Sequence, residues 1–181
     1  PDTEMFIDTH KPSCGPNCRP GCHCGKYIEI WNNVFMQYNK NAEGKFEPLG
    51  RHNVDTGMGV ERTVCMLSGA PTVYDTEIFA PIMKAINELS TVKPEDAELA
   101  LRARRIIADH MRTATFILCD PKGGVKPGNV GANYVLRRLI RRAVRYSRFL
   151  GIAPGFTVKL AEVICAKYNH VYPELAVNLE Q

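Results

Sequence analysis

At 181 residues, with 45% hydrophobic and 23% charged, the chain has the composition of an ordinary soluble globular protein and can bury one large core or two small ones. No apolar run approaches the ~18 residues of a membrane span, and no signal-peptide pattern opens the chain. The net charge of +4 is unevenly spread: residues 1–70 carry 7 Lys/Arg against 8 Asp/Glu, and residues 71–181 carry 16 against 11. A near-neutral first part joined to a basic second part suggests a small-ligand site coupled to a polyanion surface.

Residues 1–10 read as a strand, with Met5 and Ile7 alternating against Phe6 and Asp8. The first residues already look like the interior of a domain, so a fragment or a processed chain is expected. Lys11 to Gly25 follows, rich in Pro, Gly and Cys, and holds Cys14, Cys18, Cys22 and Cys24 in the spacing Cys-x3-Cys-x3-Cys-x-Cys. Four thiols this close, in a loop with little apolar content, suit a closed tetrahedral structural Zn²⁺ site, with His23 as a spare ligand. Free thiols or a disulfide are the alternative. Cys65, Cys119 and Cys165 stand alone in apolar surroundings, and an odd count of seven argues against a secreted disulfide scaffold. A cytoplasmic location is expected. No thiol pair has the Cys-x2-Cys spacing of a redox protein.

Tyr27 to Asn39 is rich in β-branched and aromatic residues, the 41–44 stretch reads as a turn, and Lys45-Phe-Glu-Pro-Leu begins the return of a long antiparallel hairpin. A further strand is expected at His52 to Asp55. Glu29, Trp31 and Asn33 should face opposite to Ile28, Ile30 and Asn32. In a buried strand, Asn32 needs a polar partner, from neighbouring backbone or from a ligand. The strand runs into Asp55-Thr-Gly-Met-Gly-Val-Glu-Arg62 and then a helix. Glycines at 57 and 59 would let a ligand approach bare backbone. Asp55 before them offers a carboxylate to a cation, and Arg62 after them a guanidinium to a phosphate near a helix N-terminus. A structural turn is the plainer reading of the glycines alone.

Val60 to Ser68 should be a helix that buries Val60, Val64 and Leu67 and stops at Gly69. Asp75 to Leu89 reads as an amphipathic helix, and Pro94 opens a longer one to about Leu118. His110 in that helix reads as a structural histidine. The segment 120–128 is a loop. Tyr134 to Arg148 is a helix on which Arg137, Arg138, Arg141, Arg142, Arg145 and Arg148 share one arc of about 140°. Leu136, Leu139, Ile140, Ala143 and Val144 lie opposite. Guanidiniums so grouped repel one another unless an anion meets them, so nucleic-acid phosphate is the favoured partner. A solvated face paired with acids from neighbouring helices is the alternative. Phe156 to Tyr168 closes the pattern as one more helix.

The run Glu29 to Asn39, then Glu47-Pro-Leu, Val54 to Arg62, Ala108-Asp-His-Met-Arg112 and Asn129 to Arg145, in this order, resembles the catalytic domain of the alanyl-tRNA synthetases. Gly57 to Arg62 resembles the third signature motif of class II aminoacyl-tRNA synthetases. The resemblance implies an α+β fold. A partial class II antiparallel sheet with the Cys-rich loop would occupy residues 1–70, and a helical bundle for tRNA acceptor-stem recognition residues 71–181. It implies a parent ligase of protein biosynthesis that joins alanine to ATP with Mg²⁺ and passes it to tRNA(Ala). Asp55 matches the carboxylate that holds the alanine ammonium. Asn32, Val34 and Gly57 match the alanine pocket, Gly59 and Arg62 the ATP-binding end, and Asn129 a reader of the acceptor stem. Arg137, Arg138, Arg141, Arg142 and Arg145 are the expected tRNA contacts.

The family's first two motifs, including a second-motif arginine, are expected before Pro1, so the chain by itself should activate alanine weakly or not at all. A non-catalytic RNA-binding module derived from a synthetase is the alternative.

Overall fold

The computed structural model describes residues 1–122 and 124–178. The chain forms two compact units, Pro1–Thr76 and Glu77–Gln181, where the sequence reading set the boundary after residue 70.

The first unit is an antiparallel sheet in the order β1-β2-β3, made of β1 (Asp2–Asp8), β2 (Tyr27–Lys40) and β3 (Phe46–Met58), followed by helix α1 (Val60–Ser68). The turn between β2 and β3 closes through Asn41, whose Oδ1 accepts from the Lys45 N–H at 2.9 Å, with Gly44 at φ 80°. The separate strand expected at His52 is instead part of one continuous β3. Its register slips opposite Met36 and Tyr38, so residues 49–52 bulge out of the ladder. Pro48 is tolerated there because β3 is an edge strand. The alternation expected in β1 also fails, because the pairing shifts between Met5 and Phe6 and leaves Phe6 and Ile7 both half-buried.

Helix α1 starts and stops where expected, with Gly59 before it and Gly69 in the left-handed conformation after it. Its expected apolar face is not buried. Val60 and Leu67 are exposed, and Cys65 is the buried residue. Among the described residues of this unit only Cys65 and Thr76 are buried, and Phe35, Val54 and Met58 lie open on one side of the sheet.

The second unit is helical: α2 (Ala80–Leu89), α3 (Ala97–Leu118), α4 (Gly131–Ser147), α5 (Phe156–Tyr168) and the short α6 (Glu174–Val177). Helix α2 begins at Ala80, not Asp75, because Pro81 would break an intrahelical hydrogen bond anywhere past the first turn. Before it, Val73–Asp75 forms a 3₁₀ turn in the first unit. Helix α3 begins at Ala97, not Pro94, because the Asp96 side chain caps it, accepting from the Leu99 N–H at 2.9 Å.

The core of this unit joins Ile82 and Ile86 of α2, Ile107 and Met111 of α3, Leu136 of α4, and Leu160 and Ile164 of α5. Ala100, Ala103, Ala108 and Ala114 on α3 and Ala143 on α4 are also buried. Small side chains there let helices approach closely. On α4 the buried seam is Leu136, Ala143 and Ser147, whereas Val144, expected inside, is exposed.

Candidate functional site

In the first unit, three strands bring the candidate residues onto one face. Residues directly opposite in an antiparallel pair point to the same side, and so do residues two apart along a strand. Val34 stands opposite Asp55, and Asn32 opposite Gly57, so all four share a face. Asp55 is exposed and Asn32 half-buried. The bare backbone at 57 has a definite use. A Cβ there would lie 2.9 Å from Asn32 Oδ1, so the glycine makes room for the amide.

The same alternation continues to Gly59, whose N–H donates to the Ile30 carbonyl at 3.1 Å. A Cβ at Gly59 would meet Arg62 Cδ at 3.3 Å, so the arginine side chain lies over this glycine. Its Nη1 reaches back to the Glu29 carbonyl at 3.1 Å. Asp55 near the end of β3 and Arg62 in the first turn of α1 therefore flank the two glycines. Four residues at about 3.3 Å each separate Asp55 from Gly59 by roughly 13 Å.

Register adds two residues that sequence reading missed. Asp2 pairs with Val34 and Glu4 with Asn32, so their carboxylates join Asp55 on the same face. Alternation within β1 was the available signal, but only the pairing says which residues they neighbour. On the other face Trp31 Nε1 donates to Thr56 Oγ1, which donates to the Asn32 carbonyl at 3.2 Å and ties β2 to β3.

The Cys-rich loop folds back beside β1. Pro20 and Gly21 line a hollow of about 580 Å³ with Asp2, Glu4 and Phe6. At its base Lys26 Nζ meets Asp8 Oδ2 at 3.1 Å, and Thr9 Oγ1 donates to the Gly25 carbonyl at 2.8 Å. A backbone bond to His10 and the Lys26 ammonium hold the Asp8 carboxyl below its usual range. Within the loop the four sulfurs lie within 4.8 Å of one another. Cys14 and Cys22 are 3.4 Å apart, Cys18 and Cys24 3.7 Å.

A tetrahedral ion with ~2.3 Å zinc–sulfur bonds separates its sulfurs by about 3.8 Å, so the donor set fits one Zn²⁺. The cysteines are free, with no disulfide among them. The Lys26 backbone N–H draws the Cys24 thiol down to about 7, while hydrogen bonding to Cys22 pushes Cys14 up to about 12. Thiols packed this tightly do not ionise independently without a cation between them. His23 is not part of the cluster.

In the second unit, α4 presents the arginines. Arg138, Arg141, Arg142, Arg145 and Arg148 are exposed, and Arg137 is half-buried. Tyr134, Ile140, Val144 and the six arginines line an open trough of about 650 Å³. Arg148 belongs to a 3₁₀ turn just past the helix. Among the described residues none of these arginines has a carboxylate partner.

Arg142 lies 5.9 Å from the Tyr146 ring centroid. Asn129 sits in the strap before α4, where its Oδ1 accepts from Arg137 Nη1. His110 on α3 is half-buried, and burial with the nearby Arg142 charge lowers its pKa, as a structural neutral imidazole requires. Arg112, beside it in sequence, is 4.3 Å from the Phe79 ring and donates to Tyr168 Oη at 3.4 Å.

A three-stranded antiparallel sheet that runs through a two-glycine motif into a helix, joined to a helical unit with a bare basic face, is the arrangement the sequence resemblance implied. The chain belongs to the class II tRNA synthetases: the family model described as "tRNA synthetases class II (A)" matches residues 1–181. Among curated relatives it is similar to the alanine–tRNA ligase of Treponema denticola, at 60% identity over 98% of this chain and 30% of that protein. That of Treponema pallidum is 55% identical over 97% of this chain and 29% of its own length. The Desulfitobacterium hafniense ligase is 43% identical over 97% and 20%. The chain thus spans about 30% or less of the length of these relatives. No helix among the described residues is long and apolar enough to cross a membrane.

Proposed function

We propose that this chain forms part of an alanine–tRNA ligase, with the amino acid and ATP meeting on the sheet of the first unit and the tRNA on α4. The observation that carries the reading is the register that sets Val34 opposite Asp55 and Asn32 opposite Gly57, with Arg62 lying over Gly59 farther along. The Asp55 carboxylate takes the alanine ammonium, and Asn32 and Val34 border the alanine side chain. Gly57 keeps the floor low. At the other end Arg62 faces the phosphates of ATP.

The reaction joins the alanine carboxylate to the α-phosphorus and expels pyrophosphate. A guanidinium near the phosphates stabilises the charge that builds on the leaving group. Asp2 and Glu4 deepen the negative potential over the face, which suits an ammonium and the Mg²⁺ that accompanies ATP. Mg²⁺ supplies charge neutralisation on the phosphates when bound. The names of the relatives favour this reading over a non-catalytic RNA-binding module.

The thiol loop holds a structural Zn²⁺ through Cys14, Cys18, Cys22 and Cys24. Four protein sulfurs leave no position for water, so the ion shapes the wall beside Asp2 and Glu4 and has no part in the chemistry. On α4, Arg138, Arg141, Arg142, Arg145 and Arg148 meet phosphates of the tRNA(Ala) acceptor stem, with Asn129 at its edge. The setting is cytoplasmic.

The test uses the full-length ligase. Asp55→Asn should reduce alanine-dependent exchange of pyrophosphate into ATP by about 100-fold or more, largely through KM for alanine, and Arg62→Gln should lower kcat. Exchange that stays near the wild-type rate in Asp55→Asn would overturn the assignment of the sheet face.

A further inference from the structure

The arginines of α4 do not all face the same way chemically. Arg137 is half-buried, and its Nη1 donates to Asn129 Oδ1. A guanidinium carries donors only, so it can meet the carbonyl end of an amide and never the nitrogen end. The contact therefore fixes the polarity of Asn129. Its Nδ2 points away with two N–H donors, and among the described residues neither donor has a partner.

The strap that carries Asn129 is pinned as well. Asn133 Nδ2 donates to the Lys126 carbonyl at 2.8 Å, and the Gly128 N–H donates to the Asn133 carbonyl at 3.0 Å. A Cβ at Gly128 would lie 2.8 Å from Asn133 Cβ, so the glycine is needed for the strap to close. Asn129 is exposed on a strap that these bonds tie to the start of α4.

We infer that Arg137 is a positioning residue, unlike its neighbours on the basic face: it holds Asn129 so that the amide N–H groups meet a hydrogen-bond acceptor on the RNA. In the wide, shallow groove of an A-form stem those acceptors are pyrimidine O2, purine N3 and the ribose 2′-hydroxyl. Without Arg137 the Asn129 amide rotates freely and offers its carbonyl as readily as its nitrogen. The inference rests on the RNA-binding reading of α4 and assigns one of its arginines a different task. Phosphate contacts change the salt dependence of binding, whereas a contact within the protein does not.

The experiment titrates an acceptor-stem RNA duplex with this chain over a salt series, comparing wild type, Arg137→Met, Arg141→Met, Asn129→Ala and the Arg137→Met/Asn129→Ala double variant. Arg141→Met should lower the slope of log affinity against log salt by about 1. Arg137→Met should weaken binding by about tenfold at unchanged slope, and should add nothing further in the Asn129→Ala background. In the RNA-free protein it should also shift the Asn129 side-chain amide resonances. A slope change at Arg137→Met equal to that at Arg141→Met, or a full second loss in the double variant, would overturn the inference. No binding by wild type would remove the RNA reading of α4 and this inference with it. Unshifted Asn129 resonances would overturn the inference alone.

Discussion

The two units solve the same problem of displaying charge in opposite ways. In the helical unit, Ile107, Leu136, Leu150 and Leu160 are fully enclosed, and the arginines of α4 stand on that packed base. In the sheet unit, Cys65 and Thr76 are the only buried residues among those described, and the candidate site residues are fixed by strand register. A helix presents a charged face once its other face is buried, so the basic surface is set by packing. The sheet presents its face by backbone hydrogen bonds and glycine clearance, and leaves Phe35, Val54 and Met58 open on the far side. The candidate face of the first unit therefore rests on geometry more than on hydrophobic stabilisation.

Metal removal should separate the units most. Stripping a Cys₄ ion costs about 10 kcal/mol or more of apparent binding free energy in small zinc domains. Chelation should therefore abolish amide protection across residues 11–25 while α3 and α4 keep theirs, as hydrogen exchange would read. Purified protein should contain about one zinc per chain, and Cys22→Ser none. Protein free of metal whose loop is equally protected would mean that the thiols are held by the fold alone.

The core contrast is smaller and equally direct. Leu136→Ala removes a fully buried side chain and should cost the helical unit about 2–5 kcal/mol in denaturant unfolding. Val54→Ala, at a position 60% exposed, should change the sheet unit by no more than about 0.5 kcal/mol. Similar costs at the two sites would erase the difference drawn between the units.

Much of this was legible in the residues. Gly59 and Gly69 bracket α1 because both ends of that helix use glycine, and α5 follows its own periodicity from Phe156 to Tyr168. The start of α2 was also legible, since Pro81 forbids one as early as Asp75, but the amphipathic pattern read from Asp75 masked it. What the sequence did not carry was pairing between distant segments. Asp2 and Glu4 join Asn32 and Val34 only through strand register, and the bulge at residues 49–52 has no local signal beyond Pro48 and Gly50. The tie between Arg137 and Asn129 spans a helix start, where side-chain direction depends on how the strap closes. Cα positions alone would have counted Arg137 with the other arginines.

On the proposed reading, the exposed arginines of α4, which no described carboxylate pairs, meet RNA phosphates. Binding of the tRNA(Ala) acceptor stem by this chain, measured from low to moderate salt, tests it most directly. Arg141→Gln/Arg142→Gln should weaken binding and lower the salt slope by about 2. Weakened binding with an unchanged slope would contradict it.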